Sequence, residues 1–106
     1  MRTIKILVKE PGKPLELRTV ENKNKVFSSI LDSEKFFTQY FFKNIAMFVA
    51  IKDCKDFNFL VGGVAVNGPV IFSSCDYLGV PTDIEDEAIS DVAELIGEAV
   101  LCVKIS

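Results

Sequence analysis

The 106-residue chain contains no histidine and no tryptophan. Without histidine it lacks the commonest general base, the commonest metal ligand and the side chain that titrates near physiological pH. Its three cysteines, Cys54, Cys75 and Cys102, are odd in number, and no two have Cys-x-x-Cys spacing. A disulfide framework is therefore not expected, and reduced thiols fit better. No apolar run reaches the ~18 residues that a spanning helix needs. The opening Met1-Arg2-Thr3-Ile4-Lys5-Ile6 alternates polar and apolar residues, unlike the continuous apolar stretch of a signal peptide. These absences lead us to expect a cytoplasmic protein with no membrane association and no cofactor.

What is present is an ordinary globular balance, 49% hydrophobic and 25% charged, which excludes disordered and fibrous classes. The length suits one domain over residues 1–106. Nine phenylalanines point to a core built largely from phenyl rings. The net charge of −3 is unevenly spread: residues 1–55 carry eleven basic and six acidic groups, residues 56–106 one basic and nine acidic. Such asymmetry fits either a partner-binding face or two halves that offset each other in the fold.

Thr3–Lys9 reads as a strand, with Ile4, Ile6 and Val8 on one face and Lys5, Leu7 and Lys9 on the other. The Pro- and Gly-rich Glu10–Pro14 makes a turn, and Leu15–Val20 returns as the second strand of a hairpin. Asn22 or Asn24 can cap a helix from Lys25 to about Phe42, whose apolar stripe includes Val26, Ile30, Phe37 and Phe41. The aromatic density of residues 36–42 is also compatible with a strand, and Asp32-Ser33 could divide the segment. Ile45–Lys52 is a strong strand. Two nearly continuous apolar runs then flank Asn67-Gly68, the pair that most strongly signals a two-residue hairpin turn. That reading places Val64, Val66, Val70 and Phe72 inside or between layers and makes Gly62-Gly63 a bulge or close-packing site. Thr82 or Asp83 can cap an acidic helix that Gly97 ends. Glu98–Ile105 closes the chain as a strand. The sum is an α+β fold, a mostly antiparallel sheet of about six strands with two helices in the order ββαβββαβ, both helices packed on one face.

Two stretches carry a resemblance. Ile4–Pro14 with Leu15–Val20, and Leu78-Gly79-Val80-Pro81 with the closing segment from Gly97 to Ile105, are similar to a small uncharacterised family of unknown function. That family is encoded largely by phages and mobile elements of Gram-positive bacteria. The similarity covers about half the chain. Where the family has a turn rich in Asn, Glu and Gly, this chain has Ser74-Cys75-Asp76-Tyr77. The resemblance implies a small accessory protein of such an element, and the family supplies no catalytic residues to carry over.

The chemistry-bearing candidates are few. Ser73, Ser74 and Cys75 put nucleophilic atoms at a strand end, but no histidine exists to activate them. Gly62-Gly63 lacks the lysine and hydroxyl of a phosphate loop. The acidic segment lacks the glycine-punctuated order of a calcium loop. Glu87, Asp91, Glu94 and Glu98 recur at helical spacing and would form one acidic stripe. That stripe is either a solvated face or a surface for a basic protein partner. The basic N-terminal half lacks interleaved aromatics, so nucleic acid is not the expected partner. Cys75, Asp76 and Tyr77 would rim a pocket between helices and sheet, and Cys75 is expected to react before the strand-buried Cys102. Two functions follow as expectations. One is a non-enzymatic protein-interaction module with an acidic C-terminal helix. The alternative is a small-molecule-binding protein or weak enzyme with a pocket near Cys75–Tyr77. The sequence leaves self-association open.

Overall fold

The computed structural model describes residues 2–98 and 100–102. The elements in chain order are β1 (Thr3–Lys9), β2 (Leu15–Glu21), α1 (Asn24–Leu31), β3 (Phe36–Phe42), β4 (Ile45–Ala50), β5 (Phe57–Val61), β6 (Val64–Asn67), β7 (Val70–Cys75), β8 (Pro81–Thr82), α2 (Asp86–Ile96) and β9 (Val100–Cys102). The fold is α+β, with two helices and a mostly antiparallel sheet in the order β3-β4-β7-β1-β2-β9. The short β8 pairs with the end of β7, and β5-β6 form a separate two-stranded ribbon. Only β2-β9 runs parallel among the described pairs. Among the described residues, no helix is long and apolar enough to cross a membrane.

The strand period explains the layering. Along β1, Leu7 joins one core with Leu15, Met47, Phe59, Val70, Phe72 and Val92, while Ile4, Ile6 and Val8 join another with Phe27, Leu31, Phe48 and Ile71. Successive side chains of a strand point to opposite faces, so both faces of this sheet are buried. The first core lies under α2 and the ribbon, the second under α1. The expectation that both helices share one face is therefore incorrect: an apolar β1 and β7 require cover on both sides, and one helix goes to each.

The expected helix over residues 25–42 is also corrected. It stops at Leu31, where Asp32 adopts a left-handed conformation (φ 53°) and the Asp32 and Ser33 N–H groups donate to Ser29 and Ser28 carbonyls. Phe36–Phe42 then forms the edge strand β3, paired with β4. Aromatic residues fit a pleated surface, and alternation sends Phe36 to the α1 core and Phe41 to the other.

The hairpin at Asn67-Gly68 is displaced. The two-residue turn is Gly62-Gly63, with φ of 56° and 82°, joining β5 to β6. Two consecutive positive φ values are what a type I′ turn demands, and neither glycine is a bulge. Asn67-Gly68 instead carries the chain from the ribbon into β7, and the Gly68 N–H donates to the Asp56 carbonyl. Val70 and Phe72 are buried as expected, whereas Val64 is 66% exposed.

Helix α2 starts later than its expected caps. The Asp83 carboxylate accepts instead from the Lys5 N–H (2.8 Å), Ile84 N–H donates to the Lys5 carbonyl, and Glu85 is the N-cap. Gly97 ends the helix in a left-handed conformation, φ 72°. Of the closing strand expected over Glu98–Ile105, Val100–Cys102 is observed. Ala99 and residues 103–106 lie outside the described residues.

Candidate functional site

Helix α1 has only eight residues, so it covers only part of its sheet face. Beyond it, the face carries Thr38 and Tyr40 of β3, Ala46 of β4 and Cys75 of β7. These residues, with Gln39 and Gly79, line an open cavity of about 240 Å³. The loop between β7 and β8 contributes Gly79 to its lining. Asp76 shapes that loop: its Oδ1 accepts from the Leu78 N–H (2.8 Å) and the Val80 N–H (2.9 Å), its own N–H donates to the Val80 carbonyl, and its carbonyl accepts from the Gly79 N–H. One short acidic side chain thus satisfies two loop donors, the role in which Asp favours turns. The loop's apolar side chains gain nothing from this internal bonding and point outward: Tyr77 is 93% and Leu78 71% exposed, with Val80 and Tyr40 also exposed.

Cys75 is half-buried. Its Sγ lies 3.4 Å from the Asn44 carbonyl, and its N–H donates to the same oxygen. Burial, and secondarily the Asp76 carboxylate, push its thiol above the ordinary value. A raised pKa depletes the thiolate, which is the reactive form. Cys75 is on that ground less reactive at neutral pH than an ordinary thiol. The side chain of Cys102, its intended comparison, lies outside the described residues.

Of the residues expected at a pocket rim, Cys75 lines the cavity, Asp76 holds the loop and Tyr77 projects from it. Sequence reasoning does not single out Ala46, because an alanine on an expected strand carries no sign of a cavity, or Thr38, Gln39 and Tyr40, because residues 36–42 fit a helix as well as a strand. The aromatic density of that segment was the available signal.

The acidic stripe is not one free surface. Glu98 lies beyond the helix end, and its carboxylate is 3.5 Å from the Nζ of Lys9, a residue only 3% exposed. Glu87 lies 3.9 Å from Lys43. Both pairs join a cation of the first half to an acid of the second, so the two halves partly offset each other. Asp91 is half-buried, and Glu94 is exposed. Ser74 Oγ accepts from the Glu85 N–H, while the buried Ser73 Oγ has no hydrogen-bond partner among the described residues. No group of three or more metal-ligating side chains occurs among the described residues.

The chain matches no family model, no curated protein and no solved structure.

Proposed function

We propose that this is a non-enzymatic protein-interaction module that engages its partner through the loop Asp76–Val80 and the cavity beside it. The observation that carries this reading is the exposure of Tyr77, Leu78 and Val80 on the loop whose Gly79 lines the cavity, together with the exposure of Tyr40 on the cavity wall. Large apolar side chains grouped on a surface mark interaction sites, whereas scattered ones do not. Tyrosine also suits a recognition surface, since it offers a large contact area with few rotatable bonds. The cavity is smaller than the roughly 300–1,000 Å³ of small-molecule sites, so it fits one inserted apolar side chain better than a cofactor-sized ligand. A protein partner is favoured over the small-molecule alternative for that reason. The acidic helix has a lesser part in this reading, because Glu87 and Glu98 already have cationic partners. The resemblance of the chain ends supports an accessory role in a phage or mobile element.

The test compares three forms of the protein as bait in host lysate: wild type, Tyr77→Ala/Leu78→Ala, and Glu87→Gln/Glu94→Gln. The loop variant should keep its melting temperature within a few degrees, because neither side chain is buried, and should lose a protein that the other two capture. Retention by the loop variant together with loss by the acid variant would move recognition to α2.

A further inference from the structure

The edge strand β3 reads Phe36-Phe37-Thr38-Gln39-Tyr40-Phe41-Phe42, nearly the same in both directions about Gln39. It contains no charge and no proline, two of the devices that keep sheet edges apart. A two-fold interface must be self-complementary, because each residue meets its symmetry mate's counterpart. A strand whose sequence is symmetric about its centre meets that condition in the antiparallel arrangement.

The backbone agrees with the sequence. Ile51 N–H donates to the Lys35 carbonyl across the β3-β4 ladder. Antiparallel ladders alternate, so residues 37 and 39 also bond inward to β4, while Phe36, Thr38 and Tyr40 direct their N–H and C=O groups outward. We propose that two copies of this chain join antiparallel through β3, with Gln39 opposite Gln39. In that register Thr38 exchanges backbone hydrogen bonds with Tyr40 of the second copy, so outward-facing residues meet outward-facing residues. A shift by one residue would set them against inward-bonded ones. On one face Phe37, 44% exposed, stands beside Phe41 of the second copy, an aromatic cross-strand pair of the kind that stabilises sheets. On the other face Thr38 and Tyr40 of the second copy extend the wall of the cavity that Thr38, Gln39 and Tyr40 line. The β-bulge between Tyr40 and Phe42 ends the regular ladder there. The register brings Lys35 towards Lys43 of the second copy at the ladder ends, where Lys43 is already 3.9 Å from Glu87 and lies over the Phe42 ring. The pairing rests on β3 alone, although it shares Tyr40 and the cavity wall with the surface proposed for the partner.

Light scattering coupled to size exclusion should give wild type a mass twice the 11.8 kDa of the chain at micromolar concentration. Gln39 is exposed, so Gln39→Lys and Gln39→Glu should fold normally by circular dichroism. Each variant alone should be monomeric, since like charges directly opposite are destabilising. An equimolar mixture of the two should recover the doubled mass. A monomeric wild type overturns the proposal. A dimer that survives Gln39→Lys places the interface elsewhere, and failure of the mixture to dimerise overturns the register.

Discussion

Lys9 is the most deeply buried charged residue among the described residues. Its side chain is almost wholly buried, and its Nζ has two acceptors, the Glu10 carbonyl at 3.1 Å and the Glu98 carboxylate at 3.5 Å. Removing the half-buried Glu98 carboxylate would leave the buried Lys9 charge with less compensation, which costs more than the pair itself contributes. Glu98→Gln should therefore destabilise the protein by about 1–2 kcal/mol, the Glu10 carbonyl sparing part of the penalty. Exposed Glu94, one helical turn earlier, provides the control: Glu94→Gln should stay within ~0.5 kcal/mol of wild type. Urea unfolding of the two variants checks the contrast, and equal midpoints would refute the role of half-buried Glu98 in compensating buried Lys9. Cys75 offers a second residue-level test. Its thiol pKa is raised, so less of it is ionised at any given pH than of an ordinary thiol. Alkylation by iodoacetamide should be slower than that of a cysteine peptide at neutral pH and should keep rising at pH values where the peptide has levelled off. A peptide-like pH profile would contradict the burial of this side chain.

The ribbon β5-β6 depends on its glycines for different reasons. Gly62 and Gly63 hold the turn through positive φ, with open space where a side chain would stand. Gly68, φ 81°, ends the ribbon, and a Cβ there would come within 3.1 Å of the Cys54 side chain. An L-residue in the left-handed region costs about 1–2 kcal/mol. Gly63→Ala should show only that penalty, whereas Gly68→Ala should add the displacement of Cys54 and lose roughly 2 kcal/mol or more. Thermal melts of the two variants distinguish them. The reverse ranking would mean that the tight approach at Gly68 relaxes freely. The ribbon is further tied to the sheet by Asn58, whose Nδ2 donates to the Lys9 and Gly68 carbonyls, and by Phe59, packed 6.1 Å from the Phe72 ring.

For the molecule as a whole, what sequence could reveal followed the range of the interactions involved. The alternation in β1 and β2, the Pro-Gly turn between them and the Gly97 helix end are local, and each formed where its residues indicated. The Asn67-Gly68 turn was misread because Gly62-Gly63 satisfies the same backbone demand five residues earlier, and two glycines tolerate two positive φ values better than Asn-Gly does. The segment Phe36–Phe42 carries both a helical and a strand period, and the partner strand β4 decided between them. The placement of the helices on opposite faces depends on which strands become central, a property of the assembled sheet. The candidate site suffered most: Tyr40 and Cys75 are brought together only by the β3-β4-β7 order.

That order also sets a schedule. Strand β7 lies between β4 and β1, pairing Phe72 with Met47 on one side and with Leu7 on the other. A chain made from its N-terminus first completes two hairpins, β1-β2 and β3-β4, that have no direct ladder to each other. Isolated hairpins are marginal in water, so both wait as exposed apolar ribbons until residues 70–75 emerge and slot between them. Assembly of the sheet then requires the capture of one late strand by two early ones. Its cost is the closure of a long loop from Leu7 to Phe72, and during that wait the uncharged β3 edge is at its most vulnerable to aggregation.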